Sequence, residues 1–136
     1  MILDTSALIA ILFDEPEAGL FARLIGRAER PRISAGSLLE TAVVVEAQAG
    51  ARGGYRLDAM MREAGIAVEP FTLEQAEIAR AAYRDYGRGS GHPAGLNFGD
   101  CFAYALAKAS DEPLLFKGRD FAGTDVEAVL PPSAPG

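Results

Sequence analysis

Four short apolar runs, each separated from the next by a segment of helical periodicity, constrain this chain more than any other feature. Met1-Ile-Leu-Asp4 is closed by a polar turn. Pro31-Arg-Ile-Ser34, Ile66-Ala-Val-Glu-Pro-Phe71 and Pro113-Leu-Leu-Phe116 follow at long intervals, and Val126 to Leu130 adds a last candidate strand. Runs this short, with apolar centres, suit strands buried on both faces, and their alternation with helices predicts an α/β sandwich around a mainly parallel sheet.

The intervening segments carry their own signals. Thr5 or Ser6 can cap a helix that includes the apolar stretch to Phe13, and Asp14-Glu-Pro16 can open a second whose Leu20, Phe21, Leu24 and Ile25 form one face. Ser34 is a cap for a helix over Gly36 to Gln48. Gly50 and Gly53-Gly54 end it, and Tyr55 to Glu63 continues as a helix up to Gly65. Thr72-Leu-Glu-Gln75 has the spacing of a capping box, with Ile78, Ala79, Ala82 and Tyr83 as the buried face behind it. After a glycine-rich loop from Gly87 to Gly95, Asn97 caps a helix from Phe98 to about Ala109, lined by Phe98, Phe102, Ala105, Leu106 and Ala109.

The chain has 136 residues, a length that suits one domain, read as 1–130 with a Pro-rich tail at 131–136. Half of it is hydrophobic, enough for a real core. One Cys and one His exclude an internal disulfide and a zinc site of the usual ligand sets, so Cys101 reads as a small core residue. The Thr5–Phe13 stretch has no basic residue before it and is too short to span a bilayer, so a cytoplasmic protein without membrane attachment is expected. A net charge of −6 argues at first against a nucleic-acid partner.

Four acids fall where α/β sheets bind ligands, at or just beyond the carboxyl ends of strands. Asp4 ends the first strand, Glu40 lies in the first turns of the helix after the second, Asp100 is in the first turn of its helix, and Asp120 follows the Pro113 strand. Singly, three have plain alternatives: Asp100 as a helix-terminus acid, Glu40 as a solvated helix residue, Asp120 as a turn former after Gly118. Asp4 is different, because a carboxylate directly behind a buried strand is seldom there without a partner. Converging carboxylates raise one another's proton affinity unless a cation offsets them, and an all-oxygen site suits Mg²⁺ or Mn²⁺. Such an ion can activate water against a phosphodiester without a Ser, Cys or His nucleophile.

Ile2-Leu-Asp-Thr-Ser-Ala-Leu8, Ser37-Leu-Leu-Glu-Thr41, Leu96-Asn-Phe-Gly-Asp-Cys-Phe-Ala-Tyr-Ala-Leu-Ala107 and Leu114-Leu-Phe-Lys-Gly-Arg-Asp-Phe121 together resemble the PIN-domain ribonucleases, and within them the VapC-type toxins of bacterial toxin–antitoxin pairs. The resemblance runs from residue 2 to about residue 130. It implies a three-layer α/β/α sandwich and an acidic cluster that uses Mg²⁺ or Mn²⁺ to hydrolyse RNA, leaving a 5′-phosphate and a 3′-hydroxyl. Asp4 and Asp100 would be the principal metal ligands. Glu40 and Asp120 would complete the cluster, and Thr5 or Ser6 would hold the Asp4 carboxylate or the substrate phosphate. Asp125 lies close enough in sequence to Asp120 to join or to serve only as a turn residue. An antitoxin would be the protein partner, laying a segment with an Arg or Lys across the acidic groove, and a homodimer is expected, with Phe13, Leu20 and Phe21 as candidate contacts.

Arg23, Arg27, Arg30 and Arg32, with Arg52, Arg56, Lys117 and Arg119, are candidates for phosphate contacts, Arg27 and Arg30 above all. His92, among glycines, reads as a loop-stabilising hydrogen-bond partner. Two other functions compete. A dehalogenase-like phosphatase would need a second Asp two residues after Asp4, where this chain has Ser6; a catalytically silent binding module would not need all four acids. Four of the six excess negative charges sit in the proposed cluster, so the acidity reads as a site for cations rather than as a barrier to RNA.

Overall fold

In the computed structural model, residues 1–129 are described; Leu130 and the Pro-rich tail expected at 131–136 lie outside them. Four short strands form one all-parallel sheet in the order β3-β2-β1-β4, with β1 at Ile2–Leu3, β2 at Arg32–Ser34, β3 at Ala67–Glu69 and β4 at Leu114–Leu115. Side chains alternate across a strand, and here the alternation divides the core in two. Leu3, Ile33 and Leu115 face one layer, built from helices α1 (Thr5–Leu12), α2 (Ala18–Arg27) and α3 (Ala35–Glu63). Ile2 and Leu114 face the other, built from α4 (Leu73–Tyr86) and α5 (Asp100–Ser110). The expected three-layer sandwich is therefore present.

Local differences from the sequence reading have identifiable causes. Asp4 itself is the N-cap of α1, its Oδ2 accepting from the Ser6 N–H, and Thr5 is already helical. The second helix starts at Ala18 because Asp14 turns the chain in the left-handed region (φ 53°). Only Gly50 interrupts α3 (φ 63°, ψ −155°), and the chain folds back there. A Cβ on Gly53 would lie 2.6 Å from Val45 Cγ1, a contact that a straight helix eight residues long forbids, so Gly53 and Gly54 belong to the second arm rather than to the break. Thr72 caps α4 through the Gln75 N–H, but the Gln75 amide turns to the Pro70 carbonyl, which leaves the box half closed.

Asn97 and Asp100 form a reciprocal cap at the head of α5: Asn97 Oδ1 accepts from the Asp100 N–H (2.8 Å) and Asp100 Oδ2 from the Asn97 N–H (3.0 Å). The buried side of α5 is Cys101 and Ala103 to Ala107, while Phe98 and Ala109 are exposed, against expectation. Phe98 precedes the helix, and the helix is packed between the sheet and α4 rather than along a single stripe. Val126 to Val129 makes one parallel bridge, Ala128 to Leu114, instead of a strand.

Candidate active site

The chain adds β2 and β3 on one side of β1 and then crosses to add β4 on the other. The reversal leaves a crevice at the carboxyl end of β1, and Asp4 stands in it. The residue is 4% exposed, and its carboxylate has no cationic partner among the described residues. Burial, aided by the Glu40 charge, raises its pKa from 3.8 to about 6, against the hydrogen bonds from Ser6 that favour the anion. Ser6 Oγ donates to Asp4 Oδ2 (2.6 Å) and accepts from the Lys117 N–H (2.9 Å), which ties the start of α1 to the loop that leads from β4 to Asp120.

Asp100, 8% exposed, comes from the opposite layer. Burial and the charges of Asp4 and Asp120 push its carboxyl up to about 7, although the Asn97 N–H favours the anion. Asp120 itself is exposed, within hydrogen-bonding range of Asp100. Glu40 lies against the backbone at the head of α5: a Cβ on Gly99 would fall 1.9 Å from Glu40 Oε2. Glycine at 99 is what lets this carboxylate approach. The fold thus links the four predicted acids pairwise by charge, Glu40 to Asp4, Asp4 to Asp100 and Asp100 to Asp120.

The donor set fits a hard divalent cation. Two nearly buried carboxyls with raised proton affinity and no basic partner among the described residues need either protons or a metal. Among the described residues no group of three or more His, Cys, Asp or Glu side chains forms a complete metal cage. An ion here would rest on Asp4 and Asp100 and keep much of its water, as Mg²⁺ does.

The family model of the PIN domain matches residues 1–127. This chain is a PIN-domain protein. It is 53% identical over 130 residues to ribonuclease VapC28 of Mycobacterium tuberculosis, covering 96% of this chain and 98% of that one, which places it among the VapC ribonucleases. Two solved structures share the fold. VapC20 of Mycobacterium tuberculosis, described as a sarcin–ricin loop cleaving toxin, superposes with a TM-score of 0.77 at 20% identity over 96% of this chain and 98% of that one. VapBC2 of Rickettsia felis, bound to a DNA fragment from its promoter, gives 0.73 at 13% identity over 93% and 94%.

Several residues singled out from the sequence are occupied elsewhere in this PIN domain. The Thr5 hydroxyl donates to the Ser37 carbonyl (3.0 Å), so Ser6 alone holds the Asp4 carboxylate by a hydroxyl. Asp125 accepts from the Tyr104 hydroxyl and pairs with Lys108 (3.1 Å), which lowers its pKa. Of the candidate phosphate contacts, Arg32 joins Glu69 and Glu112 at the amino end of the sheet, Arg56 donates to the Leu12 carbonyl, and Lys117 is held by Glu15 (2.7 Å) and Glu17 (3.3 Å). Arg27 and Arg30 are exposed and make no ion pair among the described residues. His92 does stabilise its loop, its Nδ1 accepting from the Ala94 N–H (3.0 Å). Phe21 is buried in the core, so it cannot serve as a contact with a partner. Gly99 escapes a reading of the residues alone; its only signal is a small residue directly before a helix-opening acid.

Proposed function

We propose that this VapC-family ribonuclease is a Mg²⁺- or Mn²⁺-dependent endoribonuclease that hydrolyses RNA phosphodiesters to 5′-phosphate and 3′-hydroxyl ends, acting in the cytoplasm and neutralised by an antitoxin. The observation that carries the reading is the pair of buried, uncompensated carboxyls, Asp4 and Asp100, at the sheet's switch point. These two would hold the metal, which when bound supplies positive charge for the phosphate and acidifies water. Ser6 keeps Asp4 oriented and anionic through its 2.6 Å hydrogen bond. Asp120, exposed beside Asp100, would accept a proton from attacking water, and Glu40, against Gly99, would add the charge that draws a cation into the crevice.

The same negative crevice suits an antitoxin segment carrying Arg or Lys. A solved structure of the same fold is a toxin–antitoxin complex from Klebsiella pneumoniae. A second copy of the chain would cover Leu39 and Val43, 66% and 59% exposed and one turn apart on α3.

Wild type, Asp4→Asn and Asp100→Asn incubated with a mixture of tRNA and rRNA test the reading. Cleavage should require Mg²⁺ or Mn²⁺, leave 5′-phosphates, and disappear in both variants. Two variants that cut as well as wild type would show that the site is wrongly placed.

A further inference from the structure

The residue before Gly99 breaks the pattern of the helix it introduces. Phe98 is 75% exposed. Its ring packs edge-on against Phe102 (5.2 Å, 82°), which packs edge-on against Phe71 (4.8 Å, 73°). Phe102 in turn sits where a Cβ on Gly36 would be, 2.3 Å from its ring, so the aromatic group is anchored on α3. Opposite, Tyr83 and Arg80 stand one turn apart on the exposed side of α4, with Ala79 below them. Together they enclose a slot of about 360 Å³. That volume is in the lower range of pockets that take small planar molecules. Arg80 has no acidic partner among the described residues.

We propose that this slot binds an unstacked base of single-stranded RNA next to the phosphodiester that is cut, stacking it on Phe98 with Arg80 over its edge or its phosphate. The inference rests on the ribonuclease reading above and adds the part of the substrate that supplies affinity. Slot and acids share the head of α5: Phe98 and Cys101, which line the slot, flank Gly99, on which Glu40 lies, and Asp100. Bases flank every phosphodiester, so a strand with its phosphate at Asp4 and Asp100 brings one to this ledge. Charge alone cannot supply all of the affinity, because the chain carries −6 and concentrates acids where the phosphate must go. Aromatic rings can add to it, since single-stranded RNA is commonly held by base stacking and a guanidinium adds a planar cation. A partner protein would equally cover apolar surface, but the ring-walled slot with one Arg at its rim, unpaired among the described residues, matches a base and its phosphate better than a flat contact.

The chain has no Trp, so Phe98→Trp places a single Trp in the slot, excited at wavelengths the tyrosines do not absorb. The full-length variant is titrated with a mixed-sequence single-stranded RNA of about 12 nucleotides, with Ca²⁺ in place of Mg²⁺, and with the same backbone made fully abasic. Stacking should quench the emission with the base-bearing strand only. By anisotropy of the labelled strand, Phe98→Ala and Tyr83→Ala should each weaken binding, Phe98→Ala by roughly 5- to 150-fold, while Phe98→Trp retains it. Equal quenching by the abasic strand, or unchanged binding by Phe98→Ala, overturns the proposal. So does a Phe98→Ala protein of lower native mass whose Trp counterpart ignores RNA, which would make the slot a contact between copies. Base-dependent quenching in a protein that cleaves no RNA would support the slot and refute the ribonuclease reading; cleavage with an unquenched Trp would do the reverse.

Discussion

Asp4→Asn should make the metal-free protein more stable at pH 8, although it removes a residue from the proposed active site. Asp4 is almost completely buried, and its pKa is raised from 3.8 to about 6. The folded chain therefore holds this proton more tightly than the unfolded chain does. Below about pH 4 both states are protonated and the group contributes nothing. Between there and about 6 stability falls as pH rises, and above it the fold carries the full cost of a buried anion. That cost is about 3 kcal/mol at 1.36 kcal/mol per pH unit. Asparagine is isosteric and keeps an oxygen for the Ser6 N–H, so most of the cost should be recovered. For 136 residues this corresponds to a rise in Tm on the order of 10 °C. Removing the Asp4 charge also lowers the Asp100 carboxyl from about 7, because Asp4 is one of the charges acting on it. Thermal unfolding of both proteins in EDTA at acid and alkaline pH checks this: the Tm gap should be large at pH 8 and close at pH 4. Mg²⁺ should then stabilise wild type and leave Asp4→Asn unmoved. A variant no more stable than wild type at pH 8, or a gap equally wide at pH 4, would refute the reasoning.

Ser6→Ala removes the hydroxyl that favours the Asp4 anion, so the acid limb of the cleavage pH profile should move to higher pH, with a loss of about 1 kcal/mol in stability; an unmoved limb would dismiss the role of Ser6. Gly99→Ala should displace the Glu40 carboxylate, since its Cβ would stand 1.9 Å from Oε2. Cleavage should drop at a destabilisation of only about 1–3 kcal/mol, read by activity and urea unfolding on the same sample. Arg27→Ala combined with Arg30→Ala should weaken RNA binding and flatten its salt dependence, because both arginines are exposed and unpaired among the described residues. An unchanged salt slope would place the RNA path elsewhere.

Features that depend on neighbours in the chain were legible in the residues. A carboxylate behind Ile2-Leu3 had to end a buried strand, Ser34 and Thr72 had to cap the helices behind them, and Asn97 stood as the cap of the helix that carries Asp100. Four short apolar runs alternating with helical segments were enough for the layered class and for the ends at which a site could lie. Contacts between elements remote in sequence were not legible. Thr5 and Ser6 are equivalent as text; only the approach of α3 on one side and of Lys117 on the other sends one hydroxyl to Ser37 and the other to Asp4. Arg32 and Lys117 have the chemistry of phosphate contacts, and only the fold sets Glu112, Glu69, Glu15 and Glu17 beside them. Phe98 counted as core because helical periodicity assigns a face but not what covers it. The four acids span residues 4 to 120, and it is the sheet order β3-β2-β1-β4, a property of long-range pairing, that gathers their charge into one crevice.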